Sequence, residues 1–264
     1  MDLIFKSAIM GVVEGITEFL PISSTGHLII VDQFLKFEKP FADMFEIVIQ
    51  LGAILSVIVY FHRRLNPLVH DGAKRKETME LWKKTIAGVV PALLIGGILG
   101  KKISEHLFNP FVVSIALIVG GVLLIVIESM HKKEKILSVV EITYGFAIAV
   151  GFIQCLAMVP GTSRSAATII GAMLLGANRS TAAEFSFFLA IPTMIAASAY
   201  SLMKHASGMS VPEMEALAVG FVVSFLVAWA VIAAFMSYIR KKDFKPFGYY
   251  RIVLGIIVLI MCLK

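Results

Sequence analysis

Over most of this chain the apolar positions do not alternate with polar ones; they run on in long blocks. A helix needs about 20 apolar residues to cross a hydrocarbon core of roughly 30 Å, with about 17–25 the usual range. Blocks of this kind lie at 44–61, 85–100, 111–128, 183–203, 214–239 and 247–263 and predict six spans. The 85–100 block is short and carries Pro91 and several glycines, so its edges are the least defined. Two further apolar regions, 3–35 and 139–178, are interrupted. Glu14, Glu18, Pro21 and His27 break the first; Gln154, Pro160, Gly161 and Arg164 break the second. The first does not read as a signal peptide, because Met1-Asp2 replaces a basic start and glutamates cut its apolar core. Segment 26–35 is too short to cross comfortably, which favours a re-entrant helical pair in each broken region.

Composition agrees with the pattern. The 264 residues are 58% hydrophobic and only 16% charged, whereas soluble domains carry about a quarter charged residues. That excludes a soluble α/β enzyme, a disordered chain and a disulfide scaffold; Cys155 and Cys262 both lie in apolar blocks. The net charge of +6 suggests an acidic partner until the basic residues are located. Segment 62–84 holds Arg63, Arg64, Lys74, Arg75, Lys76, Lys83 and Lys84. Segment 129–138 holds Lys132, Lys133 and Lys135, and 240–246 holds Arg240, Lys241, Lys242 and Lys245. Loops 101–110 and 204–213 are poorer, with Lys101, Lys102 and Lys204 between them. Alternation of rich and poor loops places the rich ones in the cytoplasm and predicts both termini outside. The charge reads as topology, and no nucleic-acid partner is expected.

The chain also resembles itself at an offset of about 136–140 residues. Gly15-Ile16-Thr17-Glu18 matches Gly151-Phe152-Ile153-Gln154, and Pro21 before Ser23-Ser24 matches Pro160 before Thr162-Ser163. Asn109-Pro110-Phe111 matches Lys245-Pro246-Phe247. Each half then reads as one broken pair followed by three spans, an odd number, so the second half is expected upside down. The predicted fold is an all-α polytopic membrane protein, one membrane domain over 1–264, with inverted halves 1–130 and 139–264. Such repeats place their functional site near the midplane, where the breaks meet.

Glu14 and Glu18 are one turn apart, about 6 Å on a helix face. Two carboxylates so placed share a proton, bind a divalent cation or pair with a cation. At the second break, Pro160-Gly161-Thr162-Ser163-Arg164-Ser165-Ala166-Ala167-Thr168 offers a turn, hydroxyls and a helix start, an arrangement suited to anions. Arg164 adds a fork for phosphate oxygens and equally suits a salt bridge to Glu18. The stretch is neither a Walker A loop nor a nucleophile elbow. Glu46, Gln50 and Glu184 read as structural hydrogen-bonders as readily as site members, and Arg179 and Arg251 as interfacial or pairing residues.

With these motifs the chain resembles the bacterial integral-membrane undecaprenyl-diphosphate phosphatases of the bacitracin-resistance type, over essentially its whole length. Glu14-Gly15-Ile16-Thr17-Glu18 with Pro21-Ile22-Ser23-Ser24-Thr25-Gly26-His27, and the proline-glycine-serine-arginine stretch, carry the resemblance. Thr162 and Ala166 stand where the family often has Phe and Gly. The resemblance implies release of the terminal phosphate of undecaprenyl diphosphate, recycling the lipid carrier of cell-wall synthesis and conferring bacitracin resistance. It further implies a bacterial plasma-membrane location, a site open to the outside and a divalent cation, Mg²⁺ or Ca²⁺. The expected partners are a polyprenyl diphosphate and membrane lipids, with a homodimer among the expected assemblies. Glu14 and Glu18 are the expected cation ligands. Arg164, Ser23, Thr25, Ser163, Ser165 and Thr168 are the expected substrate contacts. Ser24 is the expected nucleophile with His27 as acid/base partner, Glu18 and Arg164 completing the catalytic set; direct attack by water, with Glu18 or His27 as base, is the competitor. A transporter or flippase of an anionic or lipid-phosphate substrate is the alternative function, since broken inverted repeats also build transporters.

Overall fold

The computed structural model describes residues 2–37, 41–130, 133–205 and 209–262. Lys132, positions 206–208 of the 204–213 loop and the last residue of the 247–263 block lie outside them. The elements are α1 (Leu3–Thr17), α2 (Ser24–Leu35), α3 (Phe41–Tyr60), α4 (His62–Leu65), α5 (Gly72–Leu107) and α6 (Pro110–Ser129). After them come α7 (Tyr144–Gln154), α8 (Arg164–Leu174), α9 (Arg179–His205), α10 (Val211–Ile239) and α11 (Lys245–Cys262). Single 3₁₀ turns occupy Pro67–Val69, Val139–Glu141 and Cys155–Met158. Among the described residues there is no strand, only an isolated bridge between Ile136 and Ala177.

The expected spans fall on α3, α5, α6, α9, α10 and α11, and each broken region forms a helical pair, α1/α2 and α7/α8. The main departure is α5, which runs 36 residues where the apolar pattern gave 85–100. Its first half is built from polar helix formers, with Lys83 donating to Glu80 at 2.7 Å, and so lengthens the helix beyond the apolar block. Segment 62–84 is therefore largely helical instead of a loop. Pro91 lies inside α5 and Pro192 inside α9 without ending either; neighbouring helices tolerate the missing N–H. Among the described residues five helices are long and apolar enough to cross a membrane, and α3 adds the shorter run Met44–Tyr60. The protein is a multi-pass membrane protein.

Helix against helix, lipid offers no hydrophobic drive, so close backbone approach at small residues does the work. α1 lies along α10, where a Cβ on Gly15 would stand 2.8 Å from the Ser224 carbonyl oxygen. α7 lies along α5, where a Cβ on Gly151 would stand 2.0 Å from the Gly88 oxygen. α6 meets α11 through Gly121 and Gly248. The centre belongs to α9: 67% of its apolar window is buried, against 22–33% for α5, α6, α10 and α11. Phe185, Phe187 and Phe188 of this helix are fully enclosed. At one end Arg179 forks onto Glu128, with Nε at 2.8 Å and Nη2 at 2.7 Å, while Glu128 also accepts the Phe244 N–H at 3.0 Å. The start of α9, the end of α6 and the α10–α11 turn are thereby joined, and Arg179 is a pairing residue as expected. Arg64 pairs with Glu184.

Gly151→Ala is expected to lower stability by about 3 kcal/mol or prevent folding, because main chain meets main chain and cannot rotate away. Gly97→Ala, with nothing within 4 Å of the added carbon, is expected to be neutral or stabilising by up to ~1 kcal/mol. Thermal unfolding of the two proteins in detergent checks the contrast.

Candidate active site

The first break begins where α1 runs out. Glu18 still donates its N–H to the Glu14 carbonyl at 3.0 Å, so the two acids stay one turn apart. Pro21 then turns the chain, Ser23 takes a left-handed φ of 72°, and α2 starts at Ser24. The second break repeats the plan. α7 ends at Gln154, Gly161 turns with φ 89°, and Ser163 takes φ 70° as the cap of α8. The Ser163 hydroxyl accepts the Ala166 N–H at 3.2 Å, and Arg164 is the first helical residue. Two helix starts, each preceded by a left-handed serine, face one another.

Side chains lock them together. Glu18 is the hub: Oε2 accepts from Ser24 Oγ at 2.8 Å and Oε1 from Arg164 Nη2 at 2.9 Å. Arg164 Nη1 donates to the Ser186 carbonyl of α9 at 3.0 Å. Ser165 Oγ donates to the Leu20 carbonyl at 3.0 Å, a second tie between the breaks. Between them lies a cavity of about 230 Å³. Glu18, Ser23, Ser24 and Thr25 line it from the first break; Pro160, Gly161, Ser163 and Arg164 line it from the second. Gln50 of α3 and Thr193 and Met194 of α9 close the wall. N–H groups at two helix starts together with a guanidinium make such a space fit for an anion.

The remaining predicted residues stand apart from the cavity. Ser165 and Thr168 are fully buried behind it, Thr168 Oγ1 bonding the Arg164 carbonyl at 2.9 Å and the Ser186 hydroxyl. The expected Ser24–His27 pairing is not formed. His27 Nδ1 meets the Ser23 carbonyl at 2.7 Å and Nε2 meets the Tyr250 hydroxyl at 2.7 Å, the two rings stacked, while Ser24 turns to Glu18. The helical geometry explains this: His27 is one turn after Ser23 and bonds back along α2. Glu14 is fully enclosed, with both carboxylate oxygens lacking a hydrogen-bond partner; Glu18, Glu46 and Arg164 are the charged groups around it. Among the described residues no three His, Cys, Asp or Glu side chains converge as a ready cation cage.

Sequence reasoning passed over Ser186, Thr193, Met194, Tyr250 and the deep placement of Arg251, and gave Gln50 no more than an even reading. Arg251 had a signal, as an ionisable residue inside an apolar block. Tyr250 and Thr193 had none, since their partners are remote in sequence.

The family model for the bacitracin resistance protein BacA matches residues 7–257. This chain belongs to that family. Undecaprenyl-diphosphatase 1 of Clostridioides difficile (strain 630) is 53% identical over 262 residues, covering 97% of this chain and 95% of that protein. The undecaprenyl-diphosphatase of Caldanaerobacter subterraneus subsp. tengcongensis is 50% identical, covering 99% and 97%. That of Enterococcus faecalis is 47% identical, covering 98% and 96%. The BacA match includes both breaks and every residue of the cavity wall named above.

The Glu18–Arg164 pair is mostly buried, with side-chain exposures of 7% and 13%. Removing one partner strands the other, so Glu18→Ala is expected to cost about 3 kcal/mol of stability. Glu18→Ala combined with Arg164→Ala should fall short of the additive loss by about 1–3 kcal/mol. Unfolding titrations of the three proteins in mixed micelles measure the coupling; strict additivity would show that the pair does not act as a unit.

Proposed function

We propose that this chain removes the terminal phosphate of undecaprenyl diphosphate, giving undecaprenyl phosphate and inorganic phosphate. The carrier is thus returned to cell-wall synthesis, and the diphosphate that bacitracin would capture is depleted. One observation carries the reading: Ser24 is hydrogen-bonded to a carboxylate on the wall of a cavity that also holds Arg164 and two helix starts. BacA membership and the named relatives agree with it.

In this reading the diphosphate lies against Arg164 and the N–H groups that begin α8, with Ser23, Thr25 and Ser163 hydroxyls beside it. Ser24 Oγ attacks the terminal phosphorus as its proton passes to Glu18. The bond from that phosphorus to the bridging oxygen breaks, and undecaprenyl phosphate leaves. Water then attacks the phosphoserine, restoring Ser24 and releasing phosphate. Glu18 takes the place of the base because the hydroxyl already points at it, 2.8 Å away. His27, held by Tyr250 and the Ser23 carbonyl, supports the start of α2, and Ser24 is bonded to Glu18 instead of to it. Direct attack by water with Glu18 as base uses the same groups without the phosphoserine. Ser165 and Thr168 act from behind, holding Leu20 and Ser186.

The orphaned oxygens of Glu14 beside Glu18 fit a cation, and with so few protein donors the rest of its shell would come from phosphate and water. That donor set suits Mg²⁺ better than Ca²⁺, which takes 6–8 oxygens. A cation bound there supplies charge neutralisation at the phosphoryl oxygens.

The finer topology is part of the same proposal. α1 on α10 and α7 on α5 are the same packing with the halves exchanged, and the left-handed serines Ser23 and Ser163 correspond. Both support inverted halves 1–130 and 139–264. The basic segments argue for termini on the external side of the bacterial plasma membrane; a cavity mouth on that side is what the family resemblance implies. The homodimer expectation plays no part in this reading.

Purified protein in detergent, with no compartment to transport across, is expected to release phosphate from undecaprenyl diphosphate and to stop when EDTA is added. Arg164→Ala, Ser24→Ala and Glu18→Gln should each reduce release by about 100-fold or more. A phosphorylated Ser24 peptide after an acid quench would favour the serine route; its absence from active enzyme would favour water. Uptake by vesicles without any release in detergent would sink the enzyme reading in favour of a transporter.

A further inference from the structure

Arg251 stands in the middle of α11 with 0% exposure. A buried guanidinium usually meets a carboxylate. Here its partners among the described residues are main-chain carbonyl oxygens from three places. Nε donates to Leu117 at 3.4 Å, Nη1 to Pro21 at 3.3 Å, and Nη2 to Ala116 at 3.2 Å and to Gly161 and Thr162 at 3.0 Å each. Leu117 and Ala116 belong to α6. Pro21 belongs to the first break, Gly161 and Thr162 to the second. Pro21 and Gly161 are 140 positions apart, and each lies two residues before a left-handed serine, Ser23 or Ser163. One planar fork therefore grips, in each break, the carbonyl two residues before the left-handed serine. Gly120 makes the space for it, since a Cβ there would lie 2.3 Å from Nη2.

We propose that Arg251 is a positioning residue for the phosphate site, the cation that holds the two serine turns in register so that α2 and α8 begin at the same cavity. Left-handed serines persist only where the surroundings over-determine them, and the grip two residues upstream of each is that determination. The geometry also assigns charge. Arg164 shares its charge with Glu18, whereas Arg251 has no carboxylate against it among the described residues. Its positive charge, one carbonyl removed from the cavity wall at Gly161, is therefore available to a bound anion. Only a guanidinium does both, because an ammonium cannot fork between two carbonyls in one plane.

The test uses the full chain in detergent and the variants Arg251→Met, Arg251→Lys and Gly120→Ala, each checked for folding by thermal melting. Kinetics of phosphate release from undecaprenyl diphosphate rest on the function proposed above; hydrogen exchange of peptides covering 19–26 and 158–166 does not. Arg251→Met is expected to lose about 100-fold in kcat with KM changed less than about threefold, as a small misplacement of reacting groups would give. Arg251→Lys should recover about tenfold of that loss by keeping the charge. Both peptides should exchange faster together in Arg251→Met. A kcat within about threefold of the parent, or faster exchange in one break alone, would overturn the proposal. If Arg251→Met does not fold, Gly120→Ala decides, because it keeps the charge and displaces the fork; normal kcat and normal exchange there would equally overturn it. Should the parent itself release no phosphate, the activity reading fails and the exchange measurement alone decides the role of Arg251.

Discussion

Inside a bilayer there is no water to satisfy a polar group, so every interruption of a helix at membrane depth must be answered by protein. This molecule interrupts itself twice, and the two interruptions answer each other. The carbonyl of Leu20 in one break takes the hydroxyl of Ser165 from the other, and the carboxylate of Glu18 takes the guanidinium of Arg164. What neither break supplies comes from Arg251, a side chain from the last helix. The cavity exists because two incomplete helices were brought tip to tip and their surplus hydrogen-bonding capacity was left facing inward.

Around that contact the rest of the fold is support. α1 and α7 are too short to be self-sufficient in lipid, and each is held along a longer helix at residues with little or no side chain. α9 runs through the centre, contributes the Ser186 carbonyl to Arg164 and walls the cavity with Thr193 and Met194. The ion pairs of Arg179 with Glu128 and Arg64 with Glu184 fasten the opposite end, away from the cavity.

Much of this was legible in the order of residues. Apolar blocks give the spans because bilayer thickness fixes a length, and charges within such blocks are costly enough to mark a site. Glu18 and Arg164 stand out that way, whereas Ser24 was singled out only with the family resemblance. What escaped was anything decided by orientation or distance in space. Whether Ser24 turns to His27 or to Glu18 depends on how α2 is rotated, and spacing along the chain allows both. Pro91 and the nearby glycines left the edges of the 85–100 block ill-defined, yet Pro91 lies inside a continuous α5, because neighbours replace what proline withholds. Arg251 read as an interfacial or pairing residue and its partners stayed hidden, since they are carbonyls, which every residue has and no sequence pattern displays.

The placement of Arg251 has a bearing on how the molecule is made. Chains emerge and begin to fold from the N-terminus. α7 and α8, at 11 residues each, are too short to enter a bilayer as independent spans and must settle against α5 and α9 afterwards. The group that joins both breaks arrives later still, on α11. A nascent chain that has not yet reached residue 251 holds nearly all of the cavity wall and lacks the piece that draws it together, so the site is complete only once α11 has been made.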